Sequence, residues 1–184
     1  SRQVYKGLDI GTGKMPGKFE SFKKEHGRWI IDGVVIHLYD VANPKRQYNV
    51  AQFAKDADRA IKKIRQKGKL PIIVGGTGLY IKALLQNLPN IYIPVNKNLR
   101  KSLLKLPLNQ LQARLKNLSP QNWQDMNYSD RQNSRRLIRY IEIASFPKNF
   151  LLPKRLNFNV LKIGLTVARE ILYQRSDKRV IERI

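Results

Sequence analysis

The chain has 184 residues, with 36 Lys or Arg against 13 Asp or Glu, for a formal charge of +23. This length suits one α/β domain, or one domain with an appendage; the 42% hydrophobic fraction excludes global disorder, and no apolar run approaches the ~18 residues of a membrane span. The absence of cysteine excludes disulfides, thiolate metal sites and thiol nucleophiles and makes the cytosol the default compartment, while positive charge in both halves makes a polyanion, nucleic acid foremost, the expected partner rather than a merely lysine-rich surface.

The chain opens on Ser1 in an apolar pattern of Val4, Tyr5, Leu8 and Ile10, then turns at Gly11-Thr12-Gly13-Lys14. Residues 15–28 are polar and basic and read as a surface loop or short helix. Asp32-Gly33 between Trp29-Ile30-Ile31 and Val34-Val35-Ile36 predicts a hairpin. Residues 49–67 predict a helix with Asn49 as cap, a stripe of Val50, Phe53, Ala54, Ala57, Ala60, Ile61 and Ile64, and Gly68 as stop.

The apolar run Leu70, Ile72, Ile73, Val74 predicts a buried strand. Gly75-Gly76-Thr77-Gly78 and a helix bearing Leu79, Tyr80, Ala83, Leu84 and Leu85 follow it. Thr77 is placed to cap that helix, and the glycines allow close approach or positive φ. Strand, glycine turn and helix together aim backbone N–H groups at an anion; a purely steric turn is the equal alternative. The order implies a parallel sheet covered by helices.

Residues 89–96 read as a boundary, and 97–127 as short helices separated by Pro107 and Pro120. Ser129 is expected to cap a helix over 130–144, with Leu137, Tyr140, Ile141 and Ala144 inward. A strand over 159–167 and a basic amphipathic helix over 168–184 complete the reading. The start at Ser1 and the stop at Ile184 within a helical pattern lead to the expectation that a first strand and a last helix lie outside the chain.

Gly11-Thr12-Gly13-Lys14 resembles the end of a phosphate loop, but Leu8 stands where its first glycine belongs and Met15 follows the lysine, so no such loop is assigned. Thr12 and Lys14 remain candidates for phosphate or RNA contact, and Asp9 reads as a turn or capping acid rather than a base. Arg131, Arg135, Arg136 and Arg139 stand on the 130–144 helix, where arginine forks suit phosphate. A solvated basic face with Arg139 paired to Glu142 is the alternative. His26 and His37 read as structural, and no triad or zinc pattern is present.

Taken together the segments resemble the tRNA dimethylallyltransferase (tRNA isopentenyltransferase) family. The residues that carry it are Ser1 to Lys14; His37, Asp40, Pro44, Tyr48, Val50 and Phe53; Pro71 to Tyr80; Asp130, Asn133, Arg135, Arg136, Arg139 and Glu142; and Arg169-Glu170, Leu172-Tyr173, Arg175 and Arg179-Val180. The resemblance implies an α/β fold with a P-loop NTPase-like parallel sheet covered by helices and a small helical insertion. It divides the chain into a core over 1–95, an RNA-binding insertion over 96–128 and a return to the core over 129–184.

It further implies transfer of a dimethylallyl group from dimethylallyl diphosphate to N6 of the adenosine next to the anticodon (position 37), with Mg²⁺ assisting. The partners would be the tRNA anticodon stem-loop and the diphosphate, for a cytoplasmic monomer with no membrane contact. Ser1, Arg2, Gln3, Thr77, Arg100, Arg135, Arg136 and Arg139 would bind tRNA. Thr12, Lys14, Gly75, Gly76, Gly78 and Arg136 would line the diphosphate channel.

The departures are specific. The family's phosphate loop and its catalytic aspartate would precede Ser1, so the chain alone is expected to be an incomplete, inactive portion with no catalytic residue of its own. The insertion is short, and Tyr140-Ile141 replaces the usual Ala-Leu. A non-catalytic basic RNA-binding domain and a small-molecule kinase-like P-loop enzyme are the alternatives.

Overall fold

The computed structural model describes residues 2–14, 21–86, 88–147 and 159–181. Two units are distinguished: Ser1–Asn87 together with Leu156–Ile184, and Leu88–Arg155.

The first unit begins with a 3-10 turn, Arg2–Val4. Strands β1 (Phe22–Glu25), β2 (Arg28–Ile31) and β3 (Val34–His37) then form an antiparallel meander in the order β1-β2-β3. Ile31 pairs with Val34 across Asp32-Gly33, whose φ values of 50° and 76° are the positive pair a two-residue hairpin needs. This is the expected hairpin. β1 is an addition in residues read as loop, and the rest of that stretch, 15–20, lies outside the described residues. The reason is Trp29, fully buried. Phe22 meets its ring edge-on at 5.0 Å and Tyr39 at 5.3 Å. An aromatic of this burial stabilises by about 3–5 kcal/mol against truncation, and Phe22 must lie beside it to share that cluster.

Helix α1 (Val50–Gln66) starts at Asn49 with a full capping box: Gln52 N–H donates to Asn49 Oδ1 (3.0 Å) and Asn49 N–H to Gln52 Oε1 (2.9 Å). It ends where Gly68, at φ 68°, donates its N–H to Arg65 O. Ala54, Ala57 and Ile61 are its buried face. Helix α2 (Gly78–Leu85) packs on α1 through buried Ala83. Small residues let the two axes approach, and Phe53 stacks on Tyr80 at 4.4 Å.

The two expected core strands are not formed. Residues 70–74 carry no ladder, and Leu70, Ile72 and Val74 are 83%, 79% and 91% exposed. Residues 159–167 are likewise irregular, with Leu161, Ile163 and Leu165 exposed. A strand exists through its neighbours' hydrogen bonds, and neither segment has a neighbour among the described residues. The one parallel contact there is an isolated bridge, Tyr5 to Ala42. What is observed is therefore an α/β chain whose sheet is antiparallel. Helix α8 (Arg169–Ile181) forms as expected but buries none of its described residues.

The second unit is all helical: α3 (Lys97–Leu103), α4 (Leu108–Leu118), α5 (Pro120–Asp125), α6 (Tyr128–Arg131) and α7 (Ser134–Ala144). Pro107 precedes α4 and Pro120 opens α5, as their missing N–H groups dictate. Leu103, Leu111, Leu115, Met126, Leu137, Ile138 and Ile141 form one core. The single helix expected over 130–144 is instead two. Asn127 rather than Ser129 caps α6, and Asn133 caps α7 by accepting from Arg136 N–H. A short polar side chain that satisfies a new helix start breaks the old one. Ile138 and Glu142 are buried while Tyr140 and Ala144 are half-buried, so the inward face is rotated from the expected one. α6 and α7 belong to the helical unit, to whose seven buried core residues α7 contributes Leu137, Ile138 and Ile141. Among the described residues no helix is long and apolar enough to cross a membrane.

Candidate nucleic-acid interface

The segment 2–14 is closed into a loop by Lys14. That residue is 1% exposed, and its ammonium group donates to Tyr5 O, Asp9 Oδ1 (2.9 Å) and Asp40 Oδ1 (2.6 Å). All three protons are thus committed. Burial alone would depress the Lys14 pKa, but the hydrogen bonds to Asp40 and Asp9 outweigh it and hold it above the usual lysine value. Asp9 is held below the usual carboxylate range by Lys24 and then Lys14. Asp40 also accepts from Trp29 Nε1 at 2.8 Å. It sits at φ 57° and Leu38 at φ 68°, left-handed positions costing roughly 1–2 kcal/mol each outside glycine, which these fixed contacts sustain. Lys14, expected to touch phosphate, is therefore a tether inside the protein. Thr12, half-buried, donates its Oγ1 hydrogen to Leu8 O at 2.7 Å. Gln3 is half-buried and donates to Gly13 O (3.0 Å), while Arg2 is exposed. Ser1 lies outside the described residues.

In the glycine turn, Thr77 holds the N-cap position of α2 without a side-chain capping bond; its carbonyl accepts from Tyr80 N–H (2.9 Å) instead. A Cβ added at Gly75, Gly76 or Gly78 would meet nothing within 4 Å, and none of the three has positive φ. Packing within the described chain does not demand these glycines.

The arginines of the helical unit divide in two. Glu142, 3% exposed, accepts from Arg100 Nε and Nη2 (both 2.7 Å), Arg139 Nη1 (3.3 Å) and Asn96 N–H (3.1 Å). Burial would raise its pKa, but Arg100 and Arg139 outweigh that and hold it below the usual range. Arg139 also donates to Asn90 O and Ile93 O, both 2.8 Å, pinning the start of the unit to α7. Arg100 and Arg139 are thus internal clamps, with the expected Arg139–Glu142 pair inside a larger network. Sequence reasoning missed Glu142 as its hub, since Arg100 is 42 positions away. Arg136 pairs with Asp130. Arg135 is exposed and forms no ion pair among the described residues. No group of three His, Asp or Glu residues that could hold a metal ion stands among the described residues.

The sequence profile of the IPP transferase family matches residues 3–184. The chain belongs to this family. It is 41% identical over 190 residues to tRNA dimethylallyltransferase 2 of Treponema denticola, covering all of this chain and 59% of that protein. It is 36% identical to the tRNA dimethylallyltransferase of Endomicrobium trichonymphae, covering 97% of this chain and 58% of that one. The crystal structure of the full-length tRNA isopentenylpyrophosphate transferase from Bacillus halodurans superposes with a TM-score of 0.56 at 31% identity, covering all of this chain and 55% of that chain. This IPP transferase family chain thus spans little more than half the length of these relatives.

Proposed function

We propose that this chain is the tRNA-presenting part of a tRNA dimethylallyltransferase. The family match over residues 3–184 carries the reading, and the charge of +23 supports it. The reaction moves a dimethylallyl group from its diphosphate to N6 of the adenosine beside the anticodon. N6 attacks the allylic carbon, the carbon–oxygen bond to diphosphate breaks, and the N6 proton passes to a base expected just before Ser1. The developing charge lies on the leaving diphosphate, so donors aimed there lower the barrier.

Within this chain the open backbone at Gly75, Gly76 and Gly78 and the N-terminus of α2 supply such donors; in the helical unit Arg136, paired with Asp130, is a further cation suited to phosphate. Arg2, Gln3, Thr77 and Arg135 contact the RNA. The adenine leaves its stack to react, which a single-stranded loop makes less costly. Magnesium, a P-loop-type parallel sheet engaging 70–74 and 159–167, a monomeric state and a cytoplasmic location belong to the same proposal. The test is to incubate the whole protein with dimethylallyl diphosphate and an anticodon stem-loop. Gain of one dimethylallyl mass only when adenosine occupies the position beside the anticodon supports the reading. No gain, or gain independent of that base, refutes it.

A further inference from the structure

The first unit holds a concavity of about 460 Å³ whose lining includes Lys6, Arg46, Lys55, Arg59, Tyr48 and Asp56. Four cations face one carboxylate. That carboxylate is already engaged: Asp56 accepts from Tyr48 Oη at 2.9 Å and from Arg59 at 3.1 Å. Arg46 and Lys55 are exposed and form no ion pair among the described residues, so their charge is uncompensated.

The walls are held before any ligand arrives. Lys6 N–H donates to Ala42 O (2.9 Å), and Ala42 N–H to Val4 O (2.8 Å). The Asn43 side chain accepts from Lys45 N–H (2.9 Å) and its carbonyl from Arg46 N–H (2.9 Å), while Tyr48 N–H donates to the Tyr5 hydroxyl. A turn fixed this way loses little freedom when it binds. The helix terminus is not the site, since the capping box occupies the Asn49 and Gln52 N–H groups; the side-chain cations are.

The geometry points to a binding site for a backbone phosphate of RNA, formed by Lys6, Arg46, Lys55 and Arg59. The assignment rests on the tRNA reading above for the identity of the polyanion. Fixed cations suit phosphate, and the pocket offers no open aromatic face on which to stack a base: the Tyr48 hydroxyl is tied to Asp56 and its ring is half-buried. Phosphate contact without base contact fixes where a strand lies and carries no sequence information.

The test uses fluorescence anisotropy of a labelled anticodon stem-loop with the 184-residue chain at two salt concentrations. The double variant R46A/K55A should bind about 10-fold more weakly at low salt, and its log–log salt slope should fall by about 1. R46K/K55R should keep both. K62A/K63A, which removes two exposed charges of the same helix outside the pocket, should change affinity far less. A circular dichroism melt equal to wild type certifies the fold of each variant. Unchanged affinity and slope in R46A/K55A overturn the site, as does an equal loss in K62A/K63A. Loss of inorganic diphosphate binding with RNA affinity intact overturns the RNA assignment. Absence of RNA binding by the wild-type chain overturns both this inference and the tRNA reading. Prenyl transfer failing while the pocket variant still loses RNA affinity overturns the transferase reading alone.

Discussion

Glu142→Gln isolates the charge at the centre of the helical unit. The native carboxylate is 3% exposed and receives three guanidinium N–H bonds and one backbone N–H. Glutamine keeps the shape, accepts through one oxygen only, and turns its own N–H₂ toward cations. Each charge-assisted bond is worth about 1.5–3 kcal/mol. Arg100 and Arg139 are 35% and 27% exposed at the side chain, so water recovers part of the loss, and about 2–3 kcal/mol remains. In a unit as small as Leu88–Arg155, where each kcal/mol moves Tm by about 4–8 °C, this is a fall of roughly 10–20 °C at neutral pH.

The pH dependence has a definite sign. The folded Glu142 pKa is depressed, so its stabilisation is fully present above the unfolded value of about 4.3 and is lost as pH falls through the lower folded value. The Tm difference between wild type and E142Q should therefore shrink as pH falls from about 6 to about 3. Helical circular dichroism melts across that range read it. A Tm change below about 3 °C at neutral pH, or a difference constant with pH, refutes the account.

Arg135→Ala should weaken stem-loop binding, cut the salt slope by about 1 and change stability by less than about 0.5 kcal/mol, whereas Arg139→Ala should lower Tm, since it releases Asn90 and Ile93; anisotropy and melting together separate the two. Lys14→Met leaves Asp9 and Asp40 without their shared cation and should destabilise the first unit by about 3 kcal/mol, read by Trp29 fluorescence in urea. Because the folded Lys14 pKa is raised, its contribution is complete below about pH 10.4 and is lost as pH rises through the folded value, so the gap between wild type and K14M should close at high pH. Val74→Ser should cost less than about 0.5 kcal/mol in this chain by chemical denaturation, because Val74 is 91% exposed; a loss typical of a core valine would restore the buried-strand reading.

Legibility in the sequence followed locality. Asp32-Gly33 and the Asn49–Gly68 limits of α1 were readable because turn and cap chemistry act within a few residues. The Arg139–Glu142 pair was readable at a spacing of three. Residues 70–74 misled, because an apolar run reports what a segment prefers to touch, not whether a partner strand lies beside it. Asn133 was read as interior to a helix because its preference for capping competes closely with continuation. Lys14 was unreadable in kind: its partners are brought together by the meander and the left-handed turn at Asp40, and no spacing encodes that. The family resemblance reached further than local chemistry: it assigned Arg100 and Arg139 to tRNA and Lys14 to the diphosphate channel, and local spacing did not show that each also holds a contact within the fold.

The uncovered apolar stretches at 70–74 and 159–167 give salt a double effect on this chain. Unpaired backbone flanked by exposed Ile, Val and Leu is a template for another copy's strand. At low ionic strength the charge of +23 keeps copies apart. Counterions that shorten the Debye length from about 30 Å to about 8 Å remove that repulsion. The same counterions compete with RNA for the cations. Added salt should thus release the nucleic acid and favour self-association over one range of concentration, and bound RNA, by neutralising charge, should bring copies together even where salt is low.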